Sequence, residues 1–164
     1  MTQKDDVSES TLLSPMRDAH LAQIAEVHQQ INPSPWTLEQ WQTCCGNPLY
    51  LNWVIEEQEQ EKENEQEQIV AFACYICSGP EAELLNIGVT QNQQGKGLGE
   101  GLLRSSLLLL PETAEHCFLE VRRSNIPAIN LYQKLQFESV AERKDYYRQS
   151  SGLIEDALIF RKNL

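Results

Sequence analysis

The sequence lacks any apolar run near the roughly 20 residues that a membrane-spanning helix requires. Its first ten residues, MTQKDDVSES, also lack the basic start and apolar centre of a secretion signal. The length of 164 residues and the 41% hydrophobic content are those of one globular domain. These features predict a single domain spanning residues 1–164, with a disordered tail at 1–10, a cytoplasmic location and no membrane partner.

Positive charge is also scarce. The chain carries 13 lysines and arginines against 24 aspartates and glutamates, for a net charge of −11. Such a surface repels the phosphate backbone of nucleic acids, so we expect no nucleic acid partner. It attracts cationic partners instead, and a basic peptide would suit it.

The cysteines and histidines show no pattern of a disulfide framework or a metal site. There are five cysteines, an odd number, and three histidines without ligand spacing to any of them. Cys74 and Cys77 form a C-x-x-C, but they lie in the strand-like run IVAFACYIC, where residues three apart point to opposite faces. We therefore expect structural, reduced thiols and no metal.

Hydrophobic periodicity and chain breakers predict a mixed α/β (α+β type) chain with one sheet covered by helices. Asp18 is placed to cap the first helix, and Thr37 followed by Gln40 is the capping-box pattern for the second. The predicted elements are helices at 18–30 and 37–45, strands at 50–55, 69–77 and 83–90, a helix from Leu98 ended by Pro111, a strand at 117–121, a helix at 127–135, and strands at 137–144 and 153–160.

A glutamate-rich insert separates the first two predicted strands. Residues 56–68 read EEQEQEKENEQEQ and contain no core-forming side chain. This composition predicts a solvated hairpin loop, and the alternative is an acidic arm for a basic partner.

The stretch QNQQGKGLGEGLL, residues 91–103, places glycines between a strand and a helix. Backbone N–H groups and the positive end of a helix dipole make such a junction an anion site, although the glycines could also serve only a tight turn or close packing. Two common nucleotide motifs fail on spacing. Gly97 follows Gly95-Lys96 where a Walker loop needs serine or threonine, and Glu100 stands at the third glycine position of a dinucleotide fingerprint.

What remains is Gln94-x-x-Gly97-x-Gly99, and here the sequence resembles the GNAT acetyltransferases, whose signature wraps the pyrophosphate of coenzyme A. It resembles in particular the bacterial ribosomal-protein-alanine N-acetyltransferases (RimI type). That resemblance runs from about Pro33 to Phe160, interrupted by the insert. Its motifs are P-W-T (35–37), N-I-x-V (86–89), L-E-V-R-x-S-N (119–125), A-I-x-L-Y (128–132), a tyrosine pair (146–147) and E-D-A (155–157).

The resemblance implies the GNAT acyl-CoA N-acyltransferase fold, a mostly antiparallel sheet flanked by helices. It implies acetyl-CoA as cosubstrate, no metal, and transfer of acetyl to a protein N-terminal amine, namely the N-terminal alanine of a basic small-subunit ribosomal protein. The alternatives are a small amine, an amino acid or a lysine side chain as acceptor, or a coenzyme-binding subunit without catalysis.

Two residues are candidates for the chemistry. Strand alternation places Glu120 with Phe118 and Arg122 on one face, where it is either a general base or the partner of Arg122 or Arg123 in an ion pair. Tyr132 is either a core aromatic or a general acid that protonates the departing thiolate. The resemblance favours the catalytic role for both.

The resemblance also assigns residues to the coenzyme and the acceptor. A glycine inside a strand often marks a bulge or a close approach, so Gly88 supports an oxyanion contact near Val89. Aromatic side chains that either wall the peptide groove or pack the sheet edge are Trp36, Tyr146 and Tyr147. The coenzyme contacts are Ile87, Gly88, Val89, Gly95, Lys96, Gly97, Leu98, Gly99, Glu100 and Asn125, with Lys96 and Arg104 as local positive charge.

One position departs from the family. Gln136 stands where Leu-Gly-Phe is usual, and a left-handed conformation there would cost glutamine about 1 kcal/mol relative to glycine.

Overall fold

The computed structural model describes residues 13–58, 67–148 and 152–164. Within these ranges the strands form one seven-stranded sheet in the order β1-β2-β3-β4-β5-β7-β6. The strands are β1 Ser14–Pro15, β2 Tyr50–Gln58, β3 Glu67–Ser78, β4 Glu81–Val89, β5 His116–Arg122, β6 Glu138–Arg148 and β7 Ile154–Asn163. The helices are α1 Leu21–Ile31, α2 Leu38–Cys45, α3 Leu98–Leu107 and α4 Ile126–Lys134, with 3-10 turns at Asp18–His20 and Gln91–Gln93. The predicted fold class and order of elements are confirmed.

The sheet separates two hydrophobic cores. One face carries Tyr75 and Leu119 with Leu102 and Leu103 of α3, and the other carries Phe72 and Trp41 with α1 and α2. The chain therefore has two helical layers around the sheet, as expected for this class.

The cysteines follow the same division. Cys74 packs in the core between the sheet and helices α1 and α2, whereas Cys77 packs against the core on the other face of the sheet. The opposite orientation predicted for this pair is confirmed, and all five cysteines are free thiols.

Several predicted boundaries shift. The Thr37 capping box is present, because Gln40 N–H donates to Thr37 Oγ1 and Thr37 N–H donates to Gln40 Oε1. Asp18, however, does not cap α1. It starts a 3-10 turn, and the N–H of Arg17 before it donates to His20 Nδ1 at 3.2 Å.

The third helix ends earlier than predicted. The N–H groups of Leu109 and Leu110 reach back only three residues, to Ser106 and Leu107, so the last turn is of 3-10 type. The physical reason is Pro111, since proline disfavours the helical conformation of the residue before it.

The glutamate-rich insert is strand at both ends, which corrects the predicted loop. Glu56–Gln58 continue β2, and Glu67 and Gln68 begin β3. The centre of that loop, residues 59–66, and the expected tail at 1–10 lie outside the described residues. So do residues 149–151 of the predicted final turn.

The pairing of β4 changes along its length. Cys74 of β3 faces Asn86 but Tyr75 faces Leu84, so Leu85 is an extra residue and forms a bulge. The bulge that Gly88 suggested therefore lies three residues earlier. A Cβ at Gly88 would lie within 2.6 Å of both the Phe72 and the Ile31 side chains, so this glycine serves close packing against α1.

Strands β4 and β5 pair only in part. Their parallel ladder joins Glu81–Leu84 to His116–Leu119 and ends there. Beyond it β4 follows β3 to Val89, and β5 follows β7 to Arg122. The two strands thus part, and a gap opens between Leu85–Val89 and Glu120–Arg122.

The hairpin of β6 and β7 carries a second irregularity. Arg143 pairs with Ala157 and Tyr147 with Glu155, so residues 144–146 together oppose Asp156. Asp145 has a φ of 53°, and its N–H donates to Asp156 Oδ1 at 3.0 Å.

Gln136 adopts the left-handed conformation, with a φ of 67°. Its N–H donates to Gln133 O and the next N–H, of Phe137, donates to Tyr132 O, both at 2.9 Å. This is the Schellman arrangement that usually takes glycine.

Gln136→Gly should therefore raise the free energy of unfolding by about 1 kcal/mol, because it removes the strain of a side chain at positive φ. Gln133→Gly is the matched control. It sits in the helical conformation one turn back and should lower the free energy of unfolding by up to about 1 kcal/mol. Urea denaturation of both variants measures this, and equal destabilisation would show that position 136 is not strained.

Candidate active site

The gap between β4 and β5 exposes backbone groups of β4. Thr90 N–H donates to Val70 O of β3 at 2.8 Å. Because alternate residues of an antiparallel ladder turn to opposite sides, the N–H groups of Ile87 and Val89 point away from β3 into the gap. Consistent with this, Val89 O accepts a bond from the Gln94 side chain at 3.1 Å. The gap can therefore offer main-chain donors to a ligand.

The glycine loop follows β4 directly. Gly95 and Gly97 have φ values of 77° and 84°, the left-handed region that favours glycine, and Gly97 is the N-cap of α3. The first intrahelical bond runs from Gly101 N–H to Gly97 O. The N–H groups of Leu98, Gly99 and Glu100 thus have no intrahelical acceptor and face outward with the positive end of the dipole. This arrangement suits an anion.

Gly99, unlike Gly97, does not have a backbone conformation that requires glycine. Its φ is not in the left-handed region, and a Cβ there would lie 3.5 Å from Val89 Cγ2, an ordinary contact. Nothing described within the chain requires glycine at this position.

The charges beside the loop are paired. Glu100 Oε1 accepts from Arg104 at 3.1 Å, and Glu100 Oε2 accepts from Lys134 at 2.5 Å. Both bonds lower the pKa of Glu100, and the bond from Lys134 has the larger effect. Lys96 Nζ donates to Gln93 Oε1 at 2.9 Å. Lys134 was missed from the sequence, because only the packing of α4 on α3 brings it here.

A cleft of about 260 Å³ opens into the gap. It unites six of the residues singled out in the sequence: Trp36, Ile87, Glu120, Asn125, Tyr132 and Tyr147. The lining does not include Gly88, Val89, Tyr146 or the loop from Gly95 to Glu100.

Tyr132 stands at the buried end of this cleft. Only 5% of its surface is exposed, and its ring packs against Phe137 and Phe160 with centroids 5.9 and 6.3 Å away. Burial raises the pKa of its hydroxyl above the ordinary value. The side chain is therefore both a core aromatic and part of the cleft lining.

Glu120 has a partner that the sequence did not suggest. Its Oε1 lies 2.7 Å from Nη1 of Arg143 on β6. Arg122 instead lies 3.7 Å from Glu155, and Arg123 pairs with Glu142. Glu120 is thus paired, as the alternative to a general base had it, but not with Arg122 or Arg123, because those two arginines pair with carboxylates on the neighbouring hairpin.

Arg122 ties the rim of the cleft together. Its Nη2 donates to Ser34 Oγ at 3.1 Å, and its guanidinium lies 4.0 Å from the centroid of the Tyr147 ring. Tyr147 in turn packs edge-on against Tyr146, with centroids 5.1 Å apart. The loop after α1 and the tyrosine pair of β6 are thereby linked.

His28 supports the side of the cleft that Trp36 lines. It is 2% exposed and packs edge-on against Trp36, Trp41 and Phe72. Trp36 N–H donates to its Nδ1 at 3.1 Å, which fixes the loop that presents the Trp36 ring. Burial lowers the pKa of His28 to about 4, with a smaller opposing effect from Asn86, so the ring is neutral at physiological pH. No pattern in the sequence marked this histidine.

The E-D-A motif connects β7 to the turn after β5 and to the bulge of β6. Glu155 Oε1 accepts from Ser124 N–H at 2.6 Å, which with Arg122 lowers its pKa. Asp156 accepts from Asp145 N–H at 3.0 Å and lies 3.5 Å from Arg123. Asn125 Oδ1 caps α4 by accepting from Ala128 N–H at 3.3 Å. The turn after β5 and the tyrosine-bearing bulge are thus held in place.

Among the residues that the structure covers, no group of three or more histidine, cysteine or acidic side chains is arranged to hold a metal ion. The helices of that part are also too short or too polar to cross a membrane.

The sequence profile of the acetyltransferase (GNAT) family matches residues 19–137. The chain belongs to the GNAT family. An enzyme of Haemophilus influenzae named ribosomal protein bS18-alanine N-acetyltransferase is 33% identical over 150 residues, covering 91% of this chain and 96% of the relative. GNAT membership makes the protein an N-acetyltransferase that uses acetyl-CoA, as the resemblance implied.

Two solved structures have the same fold as this chain. The crystal structure of the ribosomal-protein-S18-alanine N-acetyltransferase from Escherichia coli is 30% identical, with a TM-score of 0.78 over 93% of this chain and 92% of that one. Arabidopsis thaliana NAA60 in complex with acetyl-CoA has a TM-score of 0.83 over 93% and 98% of the two chains. Its identity of 17% means that it shows the fold alone.

Proposed function

We propose that this GNAT enzyme transfers acetyl from acetyl-CoA to a protein N-terminal amine, and that its substrate is the N-terminal alanine of a small-subunit ribosomal protein. The observation that carries this is the similarity, over about nine tenths of the chain, to bacterial enzymes named for that reaction. The net charge of −11 agrees with a basic substrate. The enzyme acts as one domain in the cytoplasm.

Glu120 is the general base and Tyr132 the general acid of a direct transfer. Glu120 removes a proton from the acceptor ammonium, directly or through water, and an α-amino group with a pKa near 8 needs only a modest base. The amine nitrogen then bonds to the acetyl carbon while the carbon–sulfur bond breaks, and the nitrogen gives up its second proton to solvent as the amide forms. Tyr132 gives its proton to the departing sulfur and regains one from solvent.

The main chain holds the coenzyme. Ile87 and Val89 offer their N–H groups from the gap to the pantetheine arm and the developing oxyanion, while Gly88 keeps the strand close to α1. The N–H groups of Gly95 to Glu100 receive the phosphates, with Lys96 beside them. Asn125 completes the set from the rim.

The acceptor peptide enters between two aromatic walls. Trp36, fixed through His28, stands on one side, and the edge-on pair Tyr146 and Tyr147 stands on the other. Aromatic rings offer such a groove large apolar area with a polar edge. A peptide N-terminus would thereby be directed toward Glu120.

A panel of acceptors tests the function. With acetyl-CoA, we expect peptides beginning with alanine to be acetylated faster than the same peptides with a blocked or altered first residue, and faster than lysine side chains, amino acids or polyamines. Mass spectrometry of the products locates the acetyl group. Preferred turnover of a small amine would replace the proposed acceptor, and coenzyme binding without any turnover would favour a non-catalytic subunit.

Two conservative variants test the chemical roles. Tyr132→Phe should lower kcat by about a hundredfold or more while leaving coenzyme affinity unchanged, because only the proton donor is lost. Glu120→Gln should reduce turnover most at low pH, where the acceptor amine is protonated. Unchanged kcat in the first variant, or an equal loss at every pH in the second, would contradict these roles.

Gly99→Ala tests the phosphate cradle. The chain has room for the added methyl group, so the free energy of unfolding should stay the same or rise by up to about 1 kcal/mol through better helix propensity. The methyl would face Val89 and Leu131 inside the chain and leave the N–H groups of the helix N-terminus open. The Kd for coenzyme A should therefore change by less than about twofold. Calorimetry with coenzyme A measures this, Ser105→Ala on the same helix is the control, and a Kd raised about tenfold, a loss of about 1.4 kcal/mol, would show that a phosphate lies against Gly99 itself.

A further inference from the structure

Glu120 lies between two clefts. Besides the cleft that it shares with Tyr132, it lines a second one of about 550 Å³, whose walls include Phe118 and Ile159 and whose charged members include Glu83 and Arg143. Among the described residues, Glu120 alone lines both. Its carboxylate is therefore open to one partner from each side.

Arg143 occupies a position that an acceptor amine needs. Its Nη1 lies 2.7 Å from Glu120 Oε1, which is the distance at which a base takes a proton from an amine. The Arg143 side chain is 52% exposed, against 18% for Glu120. An ion pair with one such exposed member is weak and easily exchanged for another cation.

A second carboxylate stands within reach of Arg143. Glu83 faces Phe118 in the parallel ladder, so it shares a face of the sheet with Phe118 and Glu120. Burial in the cleft raises the pKa of Glu83, the charge of Glu120 raises it further, and the charge of Arg143 lowers it. Solvent reaches Glu83, but the cleft walls reduce its hydration, and Arg143 already compensates its charge in part.

The backbone beneath Arg143 is held firmly. Arg143 is the last residue of β6 before the bulge that pairs regularly, and its partner is Ala157. Its guanidinium lies 5.2 Å from the centroid of the Tyr146 ring. Only the flexible side chain is thus free to move between the two carboxylates.

We propose that Arg143 is a specificity-determining residue that changes partners: it pairs with Glu120 in the free enzyme and moves to Glu83 when the acceptor ammonium takes its place. Two cations then face two carboxylates, and no charge is left uncompensated in the cleft. This inference rests on the proposed role of Glu120. It makes the affinity for the acceptor depend on competition between Arg143 and the acceptor ammonium for the Glu120 carboxylate.

The test is a double-mutant cycle with an alanine-starting peptide at saturating acetyl-CoA. Arg143→Gln removes the competitor and should lower the KM for the peptide about two- to fivefold, in line with a partly exposed ion pair. Glu83→Gln removes the second partner and should raise KM by a similar factor. The double variant should match Arg143→Gln, because Glu83 acts only through Arg143, and kcat should change by less than about twofold throughout.

Two controls isolate the effect. Arg148→Gln removes the same charge five residues along β6 and should leave KM unchanged. KM equals Kd only when the chemical step is slow, so the affinity has to be measured separately. Calorimetric Kd values for the peptide, with coenzyme A bound, should change among the variants by the same factors as KM.

A higher KM or a kcat reduced about tenfold in Arg143→Gln would show that Arg143 supports the base instead of competing for it. An equal effect of Glu83→Gln in both backgrounds would show that Glu83 acts without Arg143. If the wild type acetylates a small amine and not the peptide, the proposed function fails, but the same ratios measured with that amine still decide this inference, because the exchange needs only an ammonium group.

Discussion

The parting of β4 and β5 is the constraint on which the rest of the structure depends. Their ladder ends at Leu84 and Leu119, and each strand then follows its other neighbour. An unpaired stretch in the middle of a sheet leaves buried main-chain donors that need partners. In the proposed binding mode the freed N–H groups of Ile87 and Val89 face the acetyl thioester, and coenzyme binding would offset the cost of the missing ladder.

Two irregularities in strand pairing orient the side chains around that gap. The extra residue at Leu85 reverses the faces of the rest of β4, which brings Gly88 under α1. The bulge after Arg143 turns Tyr146 and Tyr147 toward the rim and is held by the carboxylate of Asp156. Bulges are common beside active sites because one additional residue re-aims every side chain that follows.

Charge is organised locally although the protein as a whole is strongly acidic. At the glycine loop Glu100 is matched by Arg104 and Lys134, and at the rim of the cleft Glu155 is matched by Arg122. Arg143, the partner of Glu120, is 52% exposed, against 11% for Arg122, and is therefore more easily displaced than Arg122. The less exposed Arg122–Glu155 pair holds the rim of the cleft, whereas the exposed arginine leaves Glu120, the proposed base, available for an incoming ammonium.

The sequence by itself determined the order of elements, the Thr37 cap, the glycine loop with its helix and the strand that carries Glu120, because these depend on neighbours a few residues apart. It also marked Gln136 as a strained position. Only the tertiary structure decided the partner of Glu120, the contact of Lys134 with Glu100, the support of Trp36 by His28 and the position of the β4 bulge. Those features join residues that are distant in the chain, or arise from a one-residue shift between strands. The energy of such contacts depends on packing and burial, which no local pattern of residues records.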